Sequence, residues 1–176
     1  MKRLLSITFL FLIFKTPVQA QNDWQERFTE SWQRNLQYTL AILEKMPEAK
    51  LNYKPTEESM TFREQLAHLA NNFASLQSYI TDSDHQELKS LATAMKGQGK
   101  AALSKSISQA YLVVDTIMAN LDYDQLNEKV SFFDQNANMT RLDVLYLIKE
   151  HLAHHRGQLS MYLRMNGIKP PKYVGW

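Results

Sequence analysis

The chain has 176 residues, with 20 Lys+Arg, 18 Asp+Glu, five His and no Cys. A formal charge of +2 is too small for a nucleic-acid binder, which gathers many cations on one face. The absence of cysteine excludes disulfides, thiolate nucleophiles and sulfur metal ligands together.

The N-terminus accounts for the positive balance. Met1-Lys2-Arg3 is a short basic start, and Leu4 to Phe14 is apolar apart from Ser6 and Thr8. Lys15 and Pro17 break the run, and Val18-Gln19-Ala20 puts small residues where a signal peptidase reads. Residues 1–20 therefore read as a secretory signal peptide. The apolar run falls short of the roughly 20 residues that span a bilayer, and no second run of that kind follows. Cleavage after Ala20 removes three basic residues and no acid, leaving 17 basic against 18 acidic residues and a charge of −1. The expected product is periplasmic or secreted, free of the membrane and without a nucleic-acid partner. Residues 21–176 suit one domain with a real core.

Four long helical patterns follow in chain order. Trp24, Phe28, Trp32, Leu36, Leu40 and Leu43 recur at steps of three and four, the period of one helix face. Asn22 or Asp23 is the expected cap of this first helix, and Pro47 its stop. A polar loop with Pro47 and Pro55 leads to Thr61-Phe62-Arg63-Glu64, a capping box. Phe62, Leu66, Leu69, Phe73, Leu76 and Ile80 form the second stripe, ended by Thr81-Asp82-Ser83-Asp84. A short helix is expected before the break at Gly97 and Gly99.

The third long helix is expected from about Lys100 to Leu121, with Leu103, Ile107, Tyr111, Val114 and Met118 as its stripe. The linker from Asp122 to Met139 holds Val130, Phe132 and Phe133, too few apolar residues to define a strand. Thr140-Arg141-Leu142-Asp143 is a second capping box and opens a final helix to Asn166, with Gly167 suited to a left-handed terminal position. An extended tail, Lys169-Pro170-Pro171-Lys172-Tyr173, closes the chain. The fold class is all-α, a four-helix bundle. Its connections are long for an up-and-down arrangement, so they permit crossovers and can cover one end of the bundle to form a pocket. Trp24, Trp32, Phe62 and Phe73 read as core.

The histidines carry the functional signal. His151 and His155 are four apart and project from one face of the final helix, beside Leu145, Ile148, Leu152, Leu159 and Tyr162. Two imidazoles one turn apart can chelate a divalent cation. His68, next to the core position Leu69, is the evident third donor. Spacing alone leaves two readings open, a metal chelate and a set of hydrogen-bonded core histidines. The string His151-Leu152-Ala153-His154-His155 lacks the glutamate of a zincin helix. His154 is rotated about 100° from His155 and faces the edge, and His85 falls in a polar loop where solvation is expected. Gly157 in mid-helix costs about 1 kcal/mol relative to Ala, so a neighbouring helix is expected to approach it closely. Arg156 is expected to bond nearby carbonyls or carboxylates.

His151-Leu152-Ala153-His154-His155-Arg156-Gly157-Gln158, followed by Tyr162-Leu163-Arg164 and Pro170-Pro171, resembles the C-terminal signature of the DinB superfamily of four-helix metalloproteins. The capping box with Gln65-Leu66-Ala67-His68 resembles that family's second helix, and the resemblance covers essentially all of residues 21–176. It implies a DinB-like bundle with crossover connections and a divalent metal, zinc or nickel above others, held by His68, His151 and His155. It also implies a homodimer, since many members are dimers. Familiar members are intracellular and the best-understood ones transfer small thiols, whereas this chain reads as exported.

Three histidines leave a coordination position open, the arrangement of a catalytic site. The sequence reading is thus an exported metal-dependent hydrolase or transferase acting on a small molecule. The alternative is a non-catalytic binding or stress-response module stabilised by its metal, and a metal-free structural bundle is the third reading. Asn72, Glu150 and Gln158 are the candidates for orienting the ligands.

Overall fold

The computed structural model describes residues 17–132 and 138–174. Phe133 and most of the expected signal peptide lie outside the described residues. Helix α1 spans Pro17–Lys45, α2 Phe62–Thr81, α3 Gln86–Met95, α4 Lys100–Ala119, α5 Tyr123–Asn127 and α6 Arg141–Met165. One 3-10 turn, Glu48–Lys50, follows α1. No helix among the described residues is long and apolar enough to cross a membrane.

The expected stripes become the core. Trp32, Phe62, Leu66, Phe73, Leu103, Tyr111, Val114, Leu145, Ile148, Leu152 and Leu159 are all buried. Trp32 is its centre, with ring centroids 5.3 Å from Phe73 and 4.7 Å from Tyr111. Its indole N–H donates to the Tyr111 carbonyl at 3.1 Å, and the Tyr111 hydroxyl meets Thr39 Oγ1 at 3.0 Å. Both polar handles are thereby satisfied inside apolar surroundings, as burial requires. Trp24 is only half-buried and bonds Tyr146 at 3.3 Å.

The order of contacts along each helix sets the topology. Trp24 meets Tyr146 and Asn35 meets Arg156, so α1 and α6 run parallel. Gln25 reaches the Leu121 carbonyl while Lys100 reaches the Glu44 carbonyl, so α4 opposes α1. Arg141 Nη1 donates to the Ile80 carbonyl while Tyr162 bonds Met60, so α2 opposes α6. Consequently α2 and α4, consecutive among the long helices, run in the same direction. Their connection carries α3, which packs on both. The long connections do contain the crossover that their length permits.

Local chemistry explains the boundaries. Thr61 and Thr140 each accept from the amide three residues on, and the side chains of Glu64 and Asp143 return to the two cap amides. Glu48 caps α4 from a distance: its carboxylate oxygens lie 3.2 and 3.0 Å from the Lys100 amide. A Cβ on Gly99 would come within 2.7 Å of that carboxylate, so the flexible Glu48 side chain would have to shift from its capping position. At the end of α6, Ile168 N donates to Leu163 O and Gly167 N to Arg164 O, both at 2.9 Å. With Gly167 at φ 71°, this is a Schellman termination.

Four expectations are corrected. Asn22 and Asp23 do not cap α1, because both lie inside the helix, which is described from Pro17 onward. The linker before α6 forms α5 and a two-stranded hairpin, Lys129–Ser131 against Asn138–Thr140. Strands of three residues are too short to leave a periodic signal. His85 is not solvated but 8% exposed, between Thr81 Oγ1 at 2.7 Å and Glu87 Oε1 at 3.2 Å. Among the described residues no neighbouring helix approaches Gly157, where a Cβ would meet nothing within 4 Å.

Replacing Gly167 by Ala should cost about 1–2 kcal/mol, the penalty of a Cβ in the left-handed region. Thermal unfolding of Gly167→Ala is expected to show a clear fall in melting temperature. An unchanged value would show that the terminal motif contributes nothing.

Candidate metal centre

Antiparallel packing of α2 on α6 brings His68 opposite His151 and His155. His68 Nε2 lies 3.2 Å from His151 Nε2, which lies 2.8 Å from His155 Nε2. One ligand nitrogen from each ring falls within 4.8 Å of the others. His155 is 6% exposed, while His68 and His151 are half-buried. The three therefore form a cup with a sheltered floor and an open rim.

Proton sharing alone does not satisfy this cluster. His151 Nε2 sits within hydrogen-bond distance of both neighbours. As a donor it can serve only one of them; as an acceptor it leaves one lone pair facing another. Burial lowers the pKa of all three, and repulsion from the neighbouring imidazoles adds to this for His151 and His155. His155 is held down to about 4. All three rings are therefore neutral near pH 7, with lone pairs available. Three converging neutral imidazoles suit a divalent cation, which would take one lone pair from each.

Gln65 fixes the orientation. Its Oε1 accepts from His155 Nδ1 at 2.5 Å, which places the imidazole proton on Nδ1 and turns Nε2 toward the cluster. Gln65 Nε2 donates to Gln158 Oε1 at 2.6 Å, and Gln158 Nε2 donates to His154 Nε2 at 2.9 Å. Gln158 thus supports the ligand helix at one remove. Glu150 is exposed and has no hydrogen bond to the histidines among the described residues. Asn72 is half-buried with its Oδ1 unpartnered, and the cavity beside His68 is lined by Asn71 in its place. Gln65 was legible in principle, three residues before His68 and so on the same helix face.

Two cavities flank the cup. One of about 530 Å³ reaches His68 and includes Glu57, Met60, Glu64 and Lys96 in its wall. The other, about 410 Å³, reaches His155 beside Gln65, Gln158 and Tyr162. Ser59 and Met60 line both and so divide them. Their loop is pinned to the bundle: Tyr162 donates to the Met60 carbonyl at 2.8 Å, and Phe62 N to Tyr53 O at 2.9 Å. The Tyr53 ring meets Tyr162 edge-on with centroids 6.0 Å apart.

Arg156 points away from the cup. It is 6% exposed, donates to Asn35 Oδ1 and lies over the Tyr38 ring at 5.6 Å. Its partners are an amide oxygen and a ring face, and no carboxylate pairs with it among the described residues. Burial lowers its pKa. It fastens α6 to α1 on the side opposite α2.

Comparison with known proteins identifies the fold. YjoA of Bacillus subtilis strain 168 is 25% identical over 134 residues, covering 73% of this chain and 82% of YjoA. The crystal structure of that DinB-like protein superposes with a TM-score of 0.66 at 22% identity, over 84% of this chain and 96% of its own. A DinB-like protein from Bacillus cereus ATCC 10987 superposes with a TM-score of 0.61 at 19% identity, over 85% and 97% of the two chains. These structures share the fold. A sequence model of the DinB family matches residues 18–175, and the chain belongs to the DinB family.

Proposed function

We propose that this chain is an exported metalloprotein that holds one divalent cation, zinc or nickel, on His68, His151 and His155. In this reading it catalyses hydrolysis or group transfer on a small molecule. The carrying observation is the convergence of the Nε2 atoms of His68, His151 and His155, with one cavity reaching His68 and another reaching His155. A bound cation supplies Lewis acidity toward a water or a substrate oxygen at the open position.

The chain's own residues do the rest. Gln65 holds the His155 proton on Nδ1 and keeps its Nε2 free. The Ser59–Met60 wall shapes the approach, and Tyr162 holds that wall in place. With no cysteine in the chain, the nucleophile is water, a hydroxyl or an external thiol. Export is supported by the basic start and the apolar run from Leu4 to Phe14. A homodimer is supported by the exposed Tyr146, Met161 and Met165 on α6.

A second reading has its own observation. The ligands come from two helices, α2 and α6, so a cation would staple the bundle whether or not it catalyses. The non-catalytic module predicts a large metal-dependent rise in melting temperature with no turnover. The enzyme predicts both together.

Untagged chain purified without chelator is expected to carry about one divalent ion, measured by elemental mass spectrometry. His68→Ala and His155→Ala should each lose it. No stoichiometric ion, with both variants as stable as the parent, would sink the proposal. Gln65→Leu is expected to fold and to bind metal about 10–100-fold more weakly, the usual effect of losing a ligand's outer partner. Competition with a chelator of known affinity measures this, and parental affinity would remove Gln65 from the account.

A further inference from the structure

A second cavity system lies at the end of the bundle where α1 and α6 terminate. It has a volume of about 710 Å³ and is lined by Lys45, Arg164, Lys169, Pro170, Pro171 and Lys172. Four of these six residues are cationic, and no carboxylate shares the lining. None of the four takes part in an ion pair among the described residues. The whole chain carries only +2, so this is a strong local concentration of charge. Four uncompensated cations around one concavity repel each other, and an anion between them relieves that repulsion.

A purely structural role accounts for these cations poorly. Cations near helix C-termini often serve the last carbonyls. Here the amides of Asn166, Gly167 and Ile168 already serve the carbonyls of Tyr162, Leu163 and Arg164. Among the described residues the Arg164 guanidinium bonds only a thioether, with Nη1 3.9 Å from Met161 Sδ. Lys169 and Lys172 lie beyond the helix. The tail that carries them is fixed at both ends. Ile168 packs on the core, and the Tyr173 ring meets Tyr38 edge-on at 5.7 Å. Pro170 and Pro171 lock their φ angles in between. The cations are thus held around the cavity on an anchored segment.

We propose that this cavity is a binding site for a phosphate-bearing anion. The volume suits a small ligand. An arginine fork can pair two phosphoryl oxygens, while three lysines supply point charges around them. The same chemistry is offered by a soluble diphosphate or by the headgroups of an anionic lipid surface. This site is separate from the histidine cluster and stands whether or not that cluster holds a metal.

Titration calorimetry of the full chain with inorganic pyrophosphate, together with sedimentation with phosphatidylglycerol vesicles, tests both sources. Saturable binding of pyrophosphate alone assigns a soluble anion; binding to these vesicles, with none to phosphatidylcholine, assigns a headgroup. In either case Lys169→Ser/Lys172→Ser should bind roughly tenfold more weakly at an unchanged melting temperature. Lys105→Ser/Lys129→Ser removes two exposed cations elsewhere and should bind like the parent. The proposal is overturned if neither probe binds saturably, or if the two double variants lose affinity equally.

Discussion

The antiparallel contact of α2 with α6 is the constraint on which the rest of the molecule depends. It faces His68 with His151 and His155, and Gln65 with His155 and Gln158. Neither helix carries a complete site. Helix α6 carries two of the three clustered imidazoles, and α2 supplies both the third and the amide that orients His155. On the same two helices Leu66, Leu69, Leu152 and Leu159 are buried in the apolar core. Polar convergence is therefore held by hydrophobic packing, which keeps the imidazoles close despite their mutual repulsion.

Opposite α2, α6 meets α1 through different chemistry. The buried Arg156 side chain uses Asn35 and the Tyr38 ring where an ion pair would be ordinary. A buried charge needs such partners, because desolvation is expensive without them. Helix α6 thus lies between two polar anchors, one toward α1 and one toward α2, both set within apolar stripes. This placement fixes the helix about its own axis and hence the direction in which His151 and His155 project.

Much of this was legible in the sequence because its causes are local. The capping boxes at Thr61 and Thr140, the left-handed Gly167 and the stripes of four long helices depend on residues within a turn or two. The histidine pair on α6 is local as well, and His68 stood out as its partner on α2 from its place beside the core position Leu69, with the family signature in support. What escaped depends on distant packing. Gln65 became a ligand's support only when α6 arrived beside it. His85 reads as a loop residue, yet Thr81 and the start of α3 enclose it. Gly157 implied a close neighbour that no helix among the described residues provides. The wall formed by Ser59 and Met60 reads as polar loop, and its position depends on the Tyr162 hydroxyl at the far end of the chain.

The central claim is that the cup formed by His68, His151 and His155 holds a divalent cation with one side open to solvent. Anomalous diffraction from a crystal of the purified chain, recorded at the absorption edge of the metal it carries, tests this most directly. The account predicts one strong peak per chain within about 2.0–2.1 Å of the three Nε2 atoms, with a further position facing the cavities. A crystal without a peak there, or with its metal bound elsewhere, would contradict it.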